Sequence, residues 1–423
     1  MKTNEMKKEI RGNVFDGVFT KLYHSEEAVK MQKERYVDAI NVFEKLYGEK
    51  DVEIYSAPGR TEIGGNHTDH QMGKVLAASI DLDAIAIVAK EEKNIVKIKS
   101  EGYPAITVDL DCLEVIEEEK GRTEALVRGV ANGLVKRGYK IGGFEAYITS
   151  NVLRGSGLSS SAAYEVLIGT IFSGLYNQEG IDSFTIAKVG QEAEMNYFGK
   201  PCGLMDQMAC SVGGMIYIDF AKDTYVKKLD VDFNQFEHSL CIVDTKGSHA
   251  DLTDEYAAVP AEMKAVAEYF GKELLFEVDE DIFYNEIANI REKTGDRAVL
   301  RSMHWFAENK KVEKEAEALQ NADIDTFKQV VKLSGESSFK YLQNVFATKK
   351  SEEQGIALAL ALSESFLEGK GVCRVHGGGF AGTMQAFVPN AMVNEYKAYM
   401  ESYFGSDACY VLQIRTDGGV KVI

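Results

Sequence analysis

Residues 151–175 read NVLRGSGLSSSAAYEVLIGTIFSGL. The second half is helix-periodic, with Ala163, Val166, Leu167, Ile171 and Leu175 on one face. The run before it, FEAYITS at 144–150, reads as a strand. Between strand and helix lie Gly155, Ser156, Gly157, Leu158, Ser159, Ser160 and Ser161. Glycines let a backbone approach an anion closely. A helix start offers unpaired N–H groups and the positive end of a dipole. Serine hydroxyls add donors and a ligand for magnesium. A serine-rich N-cap after a glycine turn is the plainer account of the loop alone. Three successive serines, then Ala-Ala, directly after a strand, favour a polyphosphate site. The Gly-Lys-Ser/Thr ending of a Walker A loop is missing.

Working outward, residues 26–47 carry Val29, Ala39, Val42, Phe43 and Leu46 at helical spacings. Short β-rich runs follow at 52–57, 75–80, 84–89, 95–100 and 105–110. Helices are expected at 123–138 and 184–198, and strands at 214–220 and 239–245. Residues 255–370 are largely helical, and AGTMQAFVP and CYVLQIR close the chain with strands. Strands and helices interleave without steady βαβ alternation, which predicts an α+β, two-lobed protein rather than a doubly wound sheet. No internal repeat is present.

The chain has 423 residues, enough for two lobes and a sizeable core. Its formal net charge of −18 argues against nucleic acid or anionic membrane as a partner, and requires a local device to hold any anion. The six cysteines are scattered without a CxxC pair, which fits a reducing compartment. MKTNEMKKEIRGNVF has no signal-peptide h-region, and no apolar run approaches membrane-spanning length. A cytoplasmic protein is expected.

Acids follow the phosphate loop. Glu194 sits on the expected helix, and Asp206 lies in CGLMDQMACSVGG among apolar residues. A lone helical Glu is ordinarily a solvated face. An unpaired carboxylate in apolar surroundings is expensive, so Asp206 requires a cation. Arg60 is the candidate, in a glycine-bearing turn of SAPGRTEIGGNHTDHQMGKVLAASI (56–80), a polar segment between two strand-like runs. Such a pair would keep the Asp ionised and leave the Arg near developing phosphoryl charge. A third glycine patch, CRVHGGGFAGTMQAFVP at 373–389, reads as a tight turn before a strand, or as a loop closing on the phosphate region from the second lobe.

Together these patches resemble the three motifs of the GHMP small-molecule kinases, and within that superfamily the galactokinases. APGR…GGNHTDHQMGKVL is similar to the galactokinase signature, GSGLSSSAA to the phosphate motif, CGLMDQ to the catalytic-aspartate segment and HGGGFAGT to the C-terminal glycine motif. SHADLTDEY (248–256) resembles the segment ending in a sugar-binding tyrosine; RSMHWFAEN (301–309) and SGESS (334–338) are looser matches. The resemblance implies a ribosomal-protein-S5-like N-terminal lobe (1–220), a ferredoxin-like C-terminal lobe (221–423) and an active site in the cleft between them. It implies Asp206 and Arg60 as catalytic. Asn66, His67, Thr68, Asp69 and Tyr256 would bind sugar. Gly155 to Ser161 would cradle ATP, with Ser100 near the nucleotide, and Ser161 and Glu194 would bind Mg2+. A monomeric ATP-dependent kinase for the anomeric hydroxyl of D-galactose is implied.

Two positions depart from the pattern. Galactokinases typically carry Glu where this chain has Asn66, and Asn where it has Glu62. A carboxylate at 66 would accept from a C6 hydroxyl and repel a C6 carboxylate, whereas an amide is neutral. Galacturonate or another galactose-like sugar is therefore an alternative substrate. A catalytically silent galactose sensor is a further alternative, disfavoured by the intact Ser-Ser-Ala-Ala.

Overall fold

The structure, a computed structural model, describes residues 1–152, 157–221, 224–248 and 252–423, with only the backbone of Asn234. Three helices come first: α1 (Thr3–Arg11), α2 (Asp16–Tyr23) and α3 (Glu26–Tyr47). Helix α3 starts where Ser25 accepts from the Ala28 amide, with Glu26 and Glu27 in the first turn, where the dipole favours acid. Met6, Phe19, Tyr36, Ile40 and Phe43 of these helices form one core cluster with Ile54, Ile85 and Ile87.

Strands β1 (Glu53–Gly64) and β2 (Lys74–Lys90) form a long antiparallel pair. Two expectations are corrected here. Arg60 lies within a strand, not a turn, and the glycines mark register shifts between Pro58/Arg60 and Glu62/Gly64. The runs at 75–80 and 84–89 are one strand. Of the two acids between them, Asp83 is fully buried, paired with Arg35 at 2.6 Å and Arg415 at 3.1 Å. A buried charge satisfied by two guanidiniums and the Tyr23 hydroxyl does not interrupt the ladder.

The chain continues through β3 (Ile95–Ser100), β4 (Ala105–Asp109), α4 (Thr123–Lys136), β5 (Phe144–Ser150), α5 (Ser160–Asn177) and α6 (Ser183–Ala193). The helix expected to run to 198 changes at Glu194–Phe198 into a π-helical turn, where the Gly199 amide reaches the Glu194 carbonyl at 3.0 Å. Then come α7 (Met205–Val212), β6 (Met215–Asp219), β7 (Tyr225–Leu229), β8 (His238–Asp244), α8 (Thr253–Tyr269), α9 (Glu280–Thr294), α10 (Asp296–Gln320) and α11 (Ile324–Ser337). After these follow α12 (Gly355–Leu367), β9 (Val372–Val375), β10 (Thr383–Pro389), α13 (Val393–Phe404), β11 (Cys409–Leu412) and β12 (Val420–Lys421).

Among the described residues the first sheet has eight strands, ordered β12-β1-β2-β5-β3-β4, with β6 and β7 branching from β2. The second has four, ordered β11-β8-β10-β9 and antiparallel throughout. This is the expected α+β architecture. The first sheet does not stop at residue 220, because β7 and β12 return to it from beyond. Helix α5 is apolar almost all round, and Val166, Leu167, Ile171 and Phe172 are fully buried against the first sheet. That burial fixes the helix start, and with it the phosphate loop.

Candidate active site

The first turn of α5 meets β1 through glycine. A Cβ at Gly59 would stand 2.9 Å from the Leu158 carbonyl, so only glycine lets strand and loop touch. The Arg60 amide donates to that carbonyl at 3.1 Å, and its Nη1 donates to the Gly157 carbonyl. Arg60 Nε and Nη2 both lie 2.7 Å from Asp206 Oδ1. The other Asp206 oxygen accepts from the Ser159 hydroxyl. Burial disfavours the guanidinium charge, but the Asp206 carboxylate more than offsets this and holds the Arg60 pKa above its ordinary value. Ser159 keeps φ at +55°, a left-handed conformation that a serine adopts only when its surroundings impose it. Gly155 and Ser156 lie outside the described residues.

Ser161 donates to Glu194 Oε1 at 3.2 Å, and Lys200 Nζ lies 2.9 Å from the same oxygen. Gln207 Nε2 donates at 2.9 Å to Glu194 Oε2 and at 2.9 Å to Glu165 Oε2. Ser161 and Glu194 thus offer adjacent oxygen donors, the set that suits a hard divalent cation. Sequence reasoning missed Glu165 and Gln207. A signal existed, since Glu165 is four residues after Ser161, on the same face of an apolar helix. Burial and the neighbouring Glu194 push its carboxyl well above the usual range.

Beside the helix start is a cavity of about 580 Å3, lined by Ser100, Tyr103, Thr123, Asn151, Ser160 and Tyr164 among others. Ser100, Ser160 and Ser161 thus share one cavity wall, next to the loop. An aromatic-lined cavity opening on a phosphate-type loop has the shape and chemistry for a nucleoside.

The segment Asn66–His70 is where the structure departs most from expectation. Asn66 is 0% exposed. Its Nδ2 donates to Glu62 Oε1 at 3.1 Å and to the Gly377 carbonyl at 2.6 Å. Its Oδ1 accepts from Asn344 Nδ2 at 2.8 Å and from the Ser338 hydroxyl at 3.4 Å. An amide has two donors and two lone pairs, so nothing is left for a sugar hydroxyl. Thr68 is also fully buried, and its hydroxyl is spent on the Gly65 and Lys74 carbonyls. Both side chains, expected to hold sugar, tie protein to protein in this structure.

His67, Asp69 and His70 remain partly exposed. His67 Nε2 lies 2.9 Å from the Gly378 carbonyl, an acceptor, so this nitrogen carries the proton. Burial pushes the Asp69 carboxyl up and the His67 imidazole down, each opposed by the attraction between them. Tyr256 donates to the Gly379 carbonyl at 2.9 Å, and its ring fills the space where a Cβ at Gly378 would stand. The third glycine patch therefore meets the Asn66–His67 segment. It reaches the phosphate loop through His376, whose Nδ1 would lie 3.3 Å from a Cβ at Gly157.

The looser sequence matches build the far side of this seam. Buried Arg374 pairs with Glu62 and donates to Ser334 at 3.0 Å. His304 bridges Ser337 and the Asn66 carbonyl, each at 2.9 Å. Trp305 Nε1 donates to the Thr68 carbonyl at 3.1 Å.

Comparison with known proteins agrees with this geometry. The GHMP kinases N terminal domain matches residues 125–214, and the galactokinase galactose-binding signature matches residues 41–90. A galactokinase of Streptomyces coelicolor is 28% identical over 369 residues, 86% of this chain and 92% of the relative. One of Lacticaseibacillus casei is 27% identical over 399 residues, 91% of this chain and 99% of the relative. The fold is that of Lactococcus lactis galactokinase complexed with galactose, with a TM-score of 0.75 at 24% identity over 90% of this chain and 98% of that one. Methanococcus jannaschii mevalonate kinase shares it at a TM-score of 0.61 and 16% identity over 86% and 98%. The chain thus matches both the GHMP kinases N terminal domain and the galactokinase galactose-binding signature, and over most of its length it is similar to galactokinases.

Proposed function

We propose that this protein transfers the terminal phosphoryl group of ATP to the anomeric hydroxyl of D-galactose, giving galactose 1-phosphate and ADP. The observation that carries the reading is the Arg60–Asp206–Ser159 contact at the start of α5. It sets an acid and a guanidinium beside a helix N-terminus, next to a nucleoside-sized cavity. The sugar oxygen attacks the γ-phosphorus as the bond to the β-bridging oxygen breaks, and that electron pair leaves on ADP. Asp206 orients the attacking hydroxyl and receives its proton. Arg60 holds the Asp206 carboxyl in place and lies near the charge that develops on the phosphoryl oxygens. Gly157 to Ser161 and the N–H groups of α5 receive the phosphates, and Ser100 lies at the nucleoside end. Mg2+ held by Ser161 and Glu194 would neutralise charge on the β- and γ-phosphates. His67, Asp69 and Tyr256, with His70, hold the sugar. We place the division between the lobes near residue 220, with β7 and β12 returning to the first, and the protein as a monomer in the cytoplasm. No helix among the described residues is long and apolar enough to cross a membrane.

A second reading has an observation of its own. The amide at position 66 turns away from the cleft, and the nearby carboxylate of Glu62 is held by Arg374. No carboxylate from either position would repel a C6 carboxylate, which suits galacturonate. One assay tests both: ADP release against galactose, galacturonate, N-acetylgalactosamine, glucose and arabinose. Turnover on galactose that vanishes in Asp206→Ala supports the first reading. Fast turnover of galacturonate with little on galactose selects the second. Unchanged turnover in Asp206→Ala overturns the kinase mechanism.

A further inference from the structure

We propose that Lys200 is a further catalytic residue, a cation that leaves Glu194 when nucleotide arrives and meets the terminal phosphoryl group. The proposal rests on the kinase reading above.

Its placement is the first argument. The backbone of Lys200 is pinned at the end of the π-helical turn, where its amide donates to the Glu194 carbonyl at 3.0 Å. Gly199, at φ +86°, makes the sharp reversal that aims the side chain back along that turn. The anchor is fixed while the four-carbon stem is free. The Lys200 side chain is 60% exposed, whereas that of its partner Glu194 is 4% exposed. An exposed lysine therefore caps a buried acid.

The second argument is competition for one oxygen. Lys200 Nζ lies 2.9 Å from Glu194 Oε1, the same atom that Ser161 reaches at 3.2 Å. A divalent cation bound by Ser161 and Glu194 would need that oxygen. Two cations at one carboxylate oxygen repel, so the ion displaces the ammonium.

The third argument says where the ammonium goes. Gln207, next in sequence to Asp206, donates to Glu194 Oε2 at 2.9 Å, while Lys200 holds the other oxygen of that carboxylate. The acid that anchors the lysine is thus tied to the turn that carries the proton-accepting acid. The transferring phosphoryl group must pass between those same two residues. Arg60, a second cation among the described residues here, is committed: Nε and Nη2 to Asp206, Nη1 to the Gly157 carbonyl. Glu194 and Asp206 make the neighbourhood acidic, in a chain of net charge −18. A polyphosphate entering here gains most from a cation that can follow it, and of Arg60 and Lys200, both among the described residues, Lys200 is the one with slack. A lysine stem suits that task better than a planar guanidinium locked in two contacts.

The test compares the wild-type full-length protein with Lys200→Met and Lys200→Arg. Calorimetry gives affinities for the β,γ-imido analogue of ATP and for ADP, each with Mg2+. Steady-state kinetics gives kcat and KM, and electron paramagnetic resonance gives Mn2+ affinity without nucleotide. A terminal-phosphate contact predicts that Lys200→Met weakens the analogue about tenfold while ADP changes by less than about twofold. It predicts a kcat lower by about 100-fold with sugar KM little changed, and substantial recovery in Lys200→Arg. Mn2+ alone should bind Lys200→Met several-fold tighter, because Glu194 is vacated. Equal weakening of analogue and ADP, or kcat within about threefold of wild type, overturns the proposal. A wild type that binds the analogue but phosphorylates no sugar sinks the kinase reading alone, and the analogue-to-ADP comparison still decides Lys200. Failure to bind either nucleotide overturns both.

Discussion

Asn66→Asp exchanges an NH2 for an oxygen with almost no change of shape, in a side chain that is 0% exposed. The Nδ2 donor now serves Glu62 Oε1 at 3.1 Å and the Gly377 carbonyl at 2.6 Å. Aspartate loses both bonds and points an acceptor at two acceptors. Leaving buried acceptors unpaired costs about 1–3 kcal/mol each. The carboxylate also stands beside Glu62, and Arg374 offsets part of that repulsion. The sum is about 4 kcal/mol at neutral pH, a large fraction of a typical domain's stability. Protonating the introduced carboxyl restores one donor, so its folded-state pKa is raised above that of the unfolded chain. The variant's deficit should therefore grow as pH rises through that raised value and shrink on acidification. Urea unfolding at pH 8 and pH 5 measures this, and the chain's one tryptophan, Trp305, reports it from within the seam. The sugar KM of the folded fraction should stay within about threefold of wild type. Unchanged stability with a KM raised about 100-fold would show Asn66 facing the sugar, and refute the reasoning.

Two further outcomes are expected. Burial holds the His304 imidazole down at about 4 and that of His70 at about 3. Between those values and the unfolded value of about 6.5, the unfolded chain binds more protons. Stability should then fall as pH is lowered through that window, by up to about 1.4 kcal/mol per pH unit for each histidine. His304→Gln should remove roughly half of that slope in urea midpoints taken from pH 7.5 to 5; an unaltered slope would contradict it. Gly59→Ala forces a Cβ to within 2.9 Å of the Leu158 carbonyl and pushes the phosphate loop off Arg60. Its kcat should fall about tenfold or more, with nucleotide affinity reduced, and a variant with wild-type kinetics would show that the close approach is dispensable.

Much of the site was legible because its chemistry is local. A glycine-serine loop before an apolar helix announces its use of N–H groups. A carboxylate between apolar residues demands a cation, and Arg60 does meet Asp206. Ser161 and Glu194 likewise come together. Asn66 was not legible. Which way its amide turns is set by the left-handed backbone at Gly65 and His67 on either side. It is also set by Gly377 and Asn344, partners 311 and 278 residues away. No periodicity or spacing encodes such pairings. The strand through Arg60 was misread because its glycines and polar residues imitate a turn; tertiary pairing with β2 overrides them. Glu165 was overlooked because an acid on an otherwise buried face was not asked for its partner.

The buried pair of Glu62 and Arg374 bears on any attempt to re-engineer substrate choice. The two residues are 312 positions apart and behave as one unit. Grafting a foreign loop over residues 56–80 would import whatever group that donor keeps at position 62. An uncharged guest would leave a guanidinium that has no exposure to solvent with only the longer ion pair to Glu308, at 3.7 Å. Such chimeras should fail to fold unless position 374 travels with the graft. A library that varies the loop alone would then score as inactive many sequences whose sugar contacts are sound.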